Sequence, residues 1–379
     1  MTDVAIAGYA TSGFAGETTK SGNELVLETN MAALEDAGIT HEELDSVMFT
    51  GQDPYDGAAI SDGQKIATAA AYRKPIMRIQ SGGGTAVHQA RAKIRAGKAD
   101  VITVVAADFV TADPTTLSWS SHEALYHRPF GMNNRQSYGF FTQNYLEGSD
   151  VTREDLAATA AKNYEAAAEN PTAHRREAYS TGEVLESDPV VGPLTELMLG
   201  PMSYGAAVLV LVDEDVATDL DEVRGWVGGT GLATAKYNYR DMDDRLHQPT
   251  LRDAASTAYG EAGISPDDVD AAEMATYAPS FELLGYEALG LCEDGDGPSL
   301  VADGTTAIDG SLPVNASGGP VATSPPNSGG VYRVIASCQQ LEGELGHQDA
   351  ERVLLWDNDM HLGEPARTDA VLVLEEAST

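Results

Sequence analysis

Short apolar runs alternate with stretches of helical periodicity along most of this chain. Residues 4–7 form an apolar run that ends at Gly8 and reads as a strand. Residues 25–37 carry apolar side chains at helical spacing and stop at Gly38, a usual C-terminal signal. Residues 47–49 and 75–79 read as strands, and Gly82-Gly83-Gly84 follows the second directly. A helix over 85–96 is stopped by Gly97, and 101–106 is a buried strand. This alternation predicts an α/β fold with a largely parallel, helix-covered sheet.

The rhythm breaks between residues 114 and 195. Residues 119–145 are rich in aromatic and polar side chains. The pattern over 152–168 predicts a helix, with Thr152 as N-cap and Asp155 in the place of the capping-box Glu; Asn170-Pro171 ends it. This stretch reads as an insertion lying over the sheet. A strand at 208–212 returns to the first half, 213–221 reads as an acidic linker, and the second half begins near Val223. It has a Gly-rich start (Gly225, Gly228, Gly229, Gly231), a helix at 281–289, a tight loop at 310–319, a helix after Gly329-Gly330, and strands at 353–356 and 370–374.

One segment is written twice. Residues 33–49, centred on Ala37-Gly38-Ile39, return at an offset of 225 residues around Ala262-Gly263-Ile264. Gly83-Gly84 and its helix are likewise echoed by Gly329-Gly330. Repeats of 20–50 residues would indicate a solenoid. A repeat near half the chain predicts two similar halves, 1–220 (including the 114–195 insertion) and 221–379, whose seam is a natural place for a site.

The chain has 379 residues, 42% of them hydrophobic, which is ample for a core. Its 23 Lys and Arg face 59 Asp and Glu, a formal charge of −36, and the acids are dispersed rather than gathered in a tail. Such a surface repels itself, and salt screens the repulsion, so a cytoplasmic protein of a salt-rich cell is expected. No basic stripe is present to displace counterions from nucleic acid. Two cysteines, Cys292 and Cys338, suit a reducing compartment. No apolar run approaches the roughly 20 residues that span a bilayer, and residues 1–8 look like a first strand rather than a signal peptide. No metal cluster, phosphate loop or dinucleotide fingerprint is expected.

Ser81 lies between a buried strand and a helix that opens with three glycines. That position aims free backbone N–H groups at whatever sits on the serine. It also suits a plain N-cap.

Ser81-Gly82-Gly83-Gly84-Thr85-Ala86 resembles the nucleophile turn of thiolases, which carry a Cys followed by small residues and the same helix. Residues 146–157 with Asn170-Pro171 resemble the family's insertion. Pro193-Leu194 and residues 201–207 resemble the end of its first half, and residues 287–292 and 312–319 its second half. The resemblance is nearest the archaeal and sterol-carrier-type branch. It implies the thiolase fold, two duplicated βαβ-type halves in a layered αβαβα arrangement.

The chain departs from the family where chemistry is done. Ser81 stands for the Cys. The loop at 323–330 lacks the Gly-His-Pro histidine, and the His-Asp or Asn-Glu motif is missing from 275–278, where Tyr277 stands. Tyr204 replaces an Asp. For the last catalytic motif, counting forward from strand 353–356 points to Asp357, while counting back from Ala370 points to His361. His361 is preferred as base, with Asp357 or Asp359 to orient it; a solvated loop histidine is the other reading. His88 could face the serine, but a packing or surface role is favoured. His122 and His127 are five apart, a poor metal spacing. Cys338 and Cys292 read as core thiols.

The resemblance implies an acyl-CoA C-acyltransferase, condensing or thiolytically cleaving coenzyme A thioesters through Ser81, with His361 moving protons and Gly82, Gly83 and Gly363 offering backbone donors to the oxyanion. The thioester is substrate, and no cofactor is expected. His127, Arg128, Asn315, Gly318 and Gly319 are candidate substrate contacts. Arg128, Arg135, Lys162, Arg175 and Arg176 are the cations available to polyanionic coenzyme A. The alternative is a weak or inactive thiolase-like subunit that binds acyl-CoA or scaffolds a complex. A homodimer or dimer of dimers is implied by the family, as is a small zinc-ribbon and OB-fold partner subunit. Charge makes the first prediction: the Tm rises by about 10 °C or more between about 0.1 M and about 2 M KCl, measured by differential scanning fluorimetry.

Overall fold

The computed structural model describes residues 3–52, 62–109, 114–122, 124–235, 246–346, 350–358 and 368–377. In chain order its main elements are β1 (Val4–Thr11), α1 (Gly22–Asp36), β2 (Ser46–Thr50), β3 (Ile76–Ile79), α2 (Gly83–Arg95) and β4 (Val101–Asp108). The insertion follows with α3 (Asn134–Gly148), α4 (Arg153–Glu169) and the hairpin β5 (Pro189–Val191) and β6 (Leu194–Thr195). β7 (Gly205–Asp213) closes the first half. The second half contains β8 (Gly225–Thr234), α5 (Pro249–Ala262), β9 (Ala271–Met274), α6 (Pro279–Ala288), α7 (Gly329–Leu341), β10 (Arg352–Asn358) and β11 (Thr368–Glu375).

The hydrogen-bonded strand order is β3-β2-β4-β7-β1-β8-β11-β10-β9. Outward from the β1–β8 seam the two halves repeat the same roles: β1, β7, β4, β2 on one side and β8, β11, β10, β9 on the other. Among the described residues β1 and β8 themselves pair at two positions, Ala5 with Trp226 and Ile6 with Gly225. The sheet is mixed, which corrects the expectation of a largely parallel one. β2–β3, β2–β4 and β9–β10 are parallel, but β7 and β11 each run antiparallel to both neighbours. Each half returns its chain to the seam as an antiparallel strand, and nothing in an apolar run of eight residues encodes direction. The acidic stretch after β7 also differs from expectation. Asp213 accepts a hydrogen bond from Val216 N and caps a short helix, Glu214–Asp219.

α2 and α7 lie side by side between the two sets of strands. One apolar cluster contains Ala86, Val87, Ala90 and Ile94 of α2, Val331, Val334 and Ile335 of α7, and inward residues of β1, β4, β7, β10 and β11. α1 covers the outer face of the first half and α5 that of the second. The result is the five-layer αβαβα arrangement. No helix among the described residues is long and apolar enough to cross a membrane.

The duplication extends to single hydrogen bonds. Glu43 accepts from Thr40 N at 2.8 Å, and 225 residues on Asp268 accepts from Ser265 N at 2.8 Å. Asp45 accepts from the amides of Asp100 and Val101, and Asp270 from those of Glu351 and Arg352. The same short acidic turn ties strand to strand in each half.

The insertion belongs to the first half in sequence but packs on the second. α4 starts with the capping box expected at Thr152 and Asp155. Phe141 of α3 stacks on Phe281 of α6 with ring centroids 4.3 Å apart. Below them Glu282 is fully buried. It pairs with Lys162 at 2.8 Å and accepts from Asn163 at 2.6 Å, Asn315 at 2.7 Å and Tyr286 at 2.6 Å. A buried ion pair needs such extra bonds to offset its desolvation. Lys162 is therefore a structural cation, not one available to coenzyme A.

At the centre, α2 and α7 meet at their glycines. A Cβ on Gly83 would lie 2.2 Å from Val331 N, and one on Gly330 would lie 2.3 Å from Gly83 N. Backbone cannot yield as a side chain does. Gly330→Ala is expected to destabilise by about 3 kcal/mol or more, at the upper end of overpacking costs, as measured by urea unfolding. Ala in place of surface Gly260, whose Cβ would meet nothing within 4 Å, is the matched control.

Candidate active site at the twin-helix junction

β3 ends at Ile79, and Ser81 follows on the turn into α2. Ser81 is half-buried, and its Oγ lies 3.1 Å from Thr85 Oγ1, one helical turn on. The N-cap of α2 is Gly82, not Ser81, so the simple capping reading does not hold. Thr50 Oγ1 lies 3.3 Å from Ser81 O and 3.2 Å from Asn327 O, joining the serine turn to the loop that enters α7.

Two strand-end carboxylates cross the junction. Asp357, on β10 of the second half, accepts from Gly84 N of α2 at 2.7 Å. Asp108, on β4 of the first half, accepts from the amides of Asn327 and Ser328 at 2.9 Å each, and from the Ser328 hydroxyl. The pairing of β4 with β2 and of β10 with β9 places Ala106, not Asp108, opposite Asp357 in the repeat. The two carboxylates are thus one pleat apart on the same strand face. Asp357 is 1% exposed, and a Cβ on Gly82 would lie 2.0 Å from its Oδ2. Burial pushes its carboxyl up to about 6.

Of the expected backbone donors, Gly82 and Gly83 lie on this turn and Gly83 N faces Gly330; the next amide, Gly84 N–H, is taken by Asp357. An ionised carboxylate at a helix N-terminus also opposes a second anion there.

A groove lies beside the junction. Asn134, Arg135 and Tyr138 of α3 form one wall, residues 199–202 the other, with Tyr277, Ser324 and Pro326 between them. It opens past Arg135 and Arg175 into a pocket of about 440 Å³. Tyr277 and the 323–330 loop are the two places where family motifs were missing, and the fold brings them together. The Tyr277 and Tyr138 rings stack with centroids 6.0 Å apart. Ser81 is not among the described lining residues; the loop from Ser324 to Gly330 connects the groove to the junction. His174 also touches this loop. Its backbone N donates to Thr323 Oγ1, and its Nδ1 lies 3.0 Å from Ser203 Oγ, which accepts from Ser324 N. Burial lowers the His174 pKa. Sequence reading passed over His174, Tyr138 and Asp108, because only contact with the loop, groove or opposite helix singles them out.

Other candidates fall elsewhere. His361 and Gly363, with Asp359, lie outside the described residues. Arg128 donates to the carbonyls of His122 and Ser120 and sits over the Trp119 ring, holding the insertion together rather than facing the groove. His127 meets His122 edge-on, with centroids 6.4 Å apart. Asn315, Gly318 and Gly319 form a buried turn: Asn315 accepts from Met274 N, and Gly318 abuts Ala167. Arg175 donates to Tyr164 Oη and Leu199 O, and Arg176 to Pro171 O. Arg135 is the exposed cation of the groove. His88 Nδ1 lies 2.9 Å from Thr230 Oγ1. Cys338 is buried, and burial pushes the Cys292 thiol up to about 12.

Residues 11–178 match the family description "Thiolase, N-terminal domain", and residues 231–375 match "Thiolase C-terminal domain-like". The chain belongs to the thiolase family. It is 27% identical over 365 residues to an acetyl-CoA acetyltransferase of Methanothermobacter thermautotrophicus, covering 93% of this chain and 94% of that one. It is also 27% identical over 293 residues to human sterol carrier protein 2, covering 72% of this chain and 53% of that one. Among solved structures, one described as "Ltp2-ChsH2(DUF35) aldolase" superposes with a TM-score of 0.85 at 23% identity, over 100% of this chain and 98% of that one. At that identity the superposition establishes the fold.

Asp357 titrates in this thiolase fold with a measurable sign. Its ordinary value is 3.8 and the folded value is about 6. Between them the folded state binds the extra proton, so the contribution to stability is present at low pH and lost as pH rises through about 6. Asp357→Asn keeps an acceptor for Gly84 N–H but cannot ionise. The wild-type stability minus that of the variant is expected to fall between about pH 4 and about pH 6 and to stay level above, as read by urea unfolding across that range.

Proposed function

We propose that the protein works on acyl-coenzyme A thioesters as an acyl-CoA C-acyltransferase, with Ser81 as the acyl acceptor. One observation carries this reading: the half-buried Ser81 stands on the turn between β3 and the glycine start of α2, at the junction of the two halves. In the forward step Ser81 Oγ bonds to the thioester carbonyl carbon and the C–S bond breaks. Coenzyme A leaves as the thiol, taking up the proton the serine gives up. The α-carbon of a second acyl-CoA, after losing a proton, then attacks the serine ester, and Oγ departs and is reprotonated. His361 remains the proposed carrier of these protons. Arg135 offers the exposed charge that a polyanionic substrate entering the groove requires in a chain of charge −36.

A second reading is a weakly active or inactive acyl-CoA-binding subunit of a complex. Two contacts favour it: the Ser81 hydroxyl is hydrogen-bonded to Thr85, which is no base, and Asp357 occupies the helix N-terminus that would hold an oxyanion. The aldolase structure above is described as a two-component assembly. Residues 114–146 support a partner here. They contain one acid, Glu123, against Arg128 and Arg135, and they expose Leu125, Tyr126 and Phe130 at 76%, 68% and 84%. For self-association, β3 is an edge strand that exposes Ile76 and Met77.

Incubation with acetyl-CoA at high salt, followed by intact-protein mass measurement, separates the two. The acyltransferase reading expects one acetyl group on the wild type and none on Ser81→Ala. An unmodified wild type that still binds acetyl-CoA, with equal affinity in Ser81→Ala, establishes the binding subunit instead.

A further inference from the structure

A second cavity, of about 660 Å³, lies at the other end of α3 from the substrate groove. Arg135 lines the groove and Tyr145 lines this cavity, about 15 Å apart along the helix. The two share no described lining residue. The walls come from the α3–α4 turn, the start of α5, and α6 with the loop after it.

Two side chains facing this space are buried and each has one polar atom without a hydrogen-bond partner, although the backbone N–H groups of Gly295 and Gly297 also bond to the Glu287 carboxyl group. Tyr145 is 4% exposed, and its Oη has no hydrogen-bond partner. Glu287, from α6, is 7% exposed, and its Oε1 has none either. Buried polar atoms are nearly always paired, so two orphans on one cavity point to a guest that satisfies them. Their chemistry specifies it: a carboxylate oxygen only accepts, and a phenol oxygen accepts as well as donates. The surroundings set the charge. Asp150, Asp155, Asp294 and Glu287 line the cavity against Arg252 and His247, and Arg252 is already paired with Asp294 at 2.6 Å. Apart from Ser149 and two glycines, the remaining wall is apolar, with Val151, Leu246, Leu284 and Pro298. Among the described residues no group of three His, Cys, Asp or Glu is arranged to hold a metal ion.

We propose that this cavity binds a small organic cation, a protonated primary amine carried on an apolar body. The ammonium donates to Glu287 Oε1 and Tyr145 Oη, and the body lies against Val151, Leu246 and Leu284. The site stands apart from the acyl-CoA reading and does not depend on it.

Isothermal titration of the full chain with benzylammonium chloride, at fixed ionic strength and with benzyl alcohol as the neutral match, tests this. Saturable binding of benzylammonium is expected, at least tenfold tighter than benzyl alcohol. Glu287→Gln is expected to weaken it at least tenfold. Tyr145→Phe removes only an unpaired hydroxyl, so it should keep the wild-type Tm and bind severalfold more weakly, which preserves the test if the Glu287 variant folds poorly. Equal affinity for the two probes, no saturable binding by the wild type, or unchanged binding in a folded Glu287 or Tyr145 variant overturns the proposal.

Discussion

The contact between Gly83 and Gly330 is the constraint on which the rest of this molecule depends. Two helices from opposite halves start within backbone contact of each other, which only residues without a Cβ permit. Both helix starts then present amide groups in a buried place. Asp357 answers one and Asp108 the other, and each carboxylate comes from the half opposite to the helix it serves. The halves are thus tied by polar contacts that neither can make alone. The β1–β8 seam, with two residue pairs, is slight by comparison.

That constraint also shapes the chemistry. The turn carrying Ser81 runs straight into glycines, and Gly84 N–H, in the first turn of α2, is already bonded to a carboxylate. Burial at the junction raises the Asp357 pKa toward neutrality, so the local charge at α2 depends on pH in a range where ordinary Asp side chains do not titrate. At this junction and in the groove beside it the chain places a hydroxyl, a pair of stacked tyrosines and a buried acid.

The insertion is the other element that tertiary contact defines. Its helices reach across the chain to α6, and Glu282 gathers Lys162, Asn163, Asn315 and Tyr286 around one buried charge. Several residues that look like substrate contacts along the chain, Lys162 and Asn315 among them, are used up in that network. Arg128 is spent within the insertion in the same manner.

By itself the sequence determined the two-half architecture, the insertion and the place of Ser81. Each is written in local signals: a repeated acidic turn at 40–45 and 265–270, the Thr152–Asp155 capping box, and glycines directly after a strand. It did not determine strand direction, because β7 and β11 are buried on both faces and an unbroken apolar run reads the same either way. Nor did it decide between Asp357 and His361, since counting from opposite ends of a loop gives both. Only the folded chain shows that Asp357 reaches Gly84, that Tyr277, Tyr138 and the 323–330 loop share one groove, and that Tyr145 and Glu287 face one cavity. Those meetings join residues from 47 to 273 positions apart, and no local preference of the chain encodes a distance of that kind.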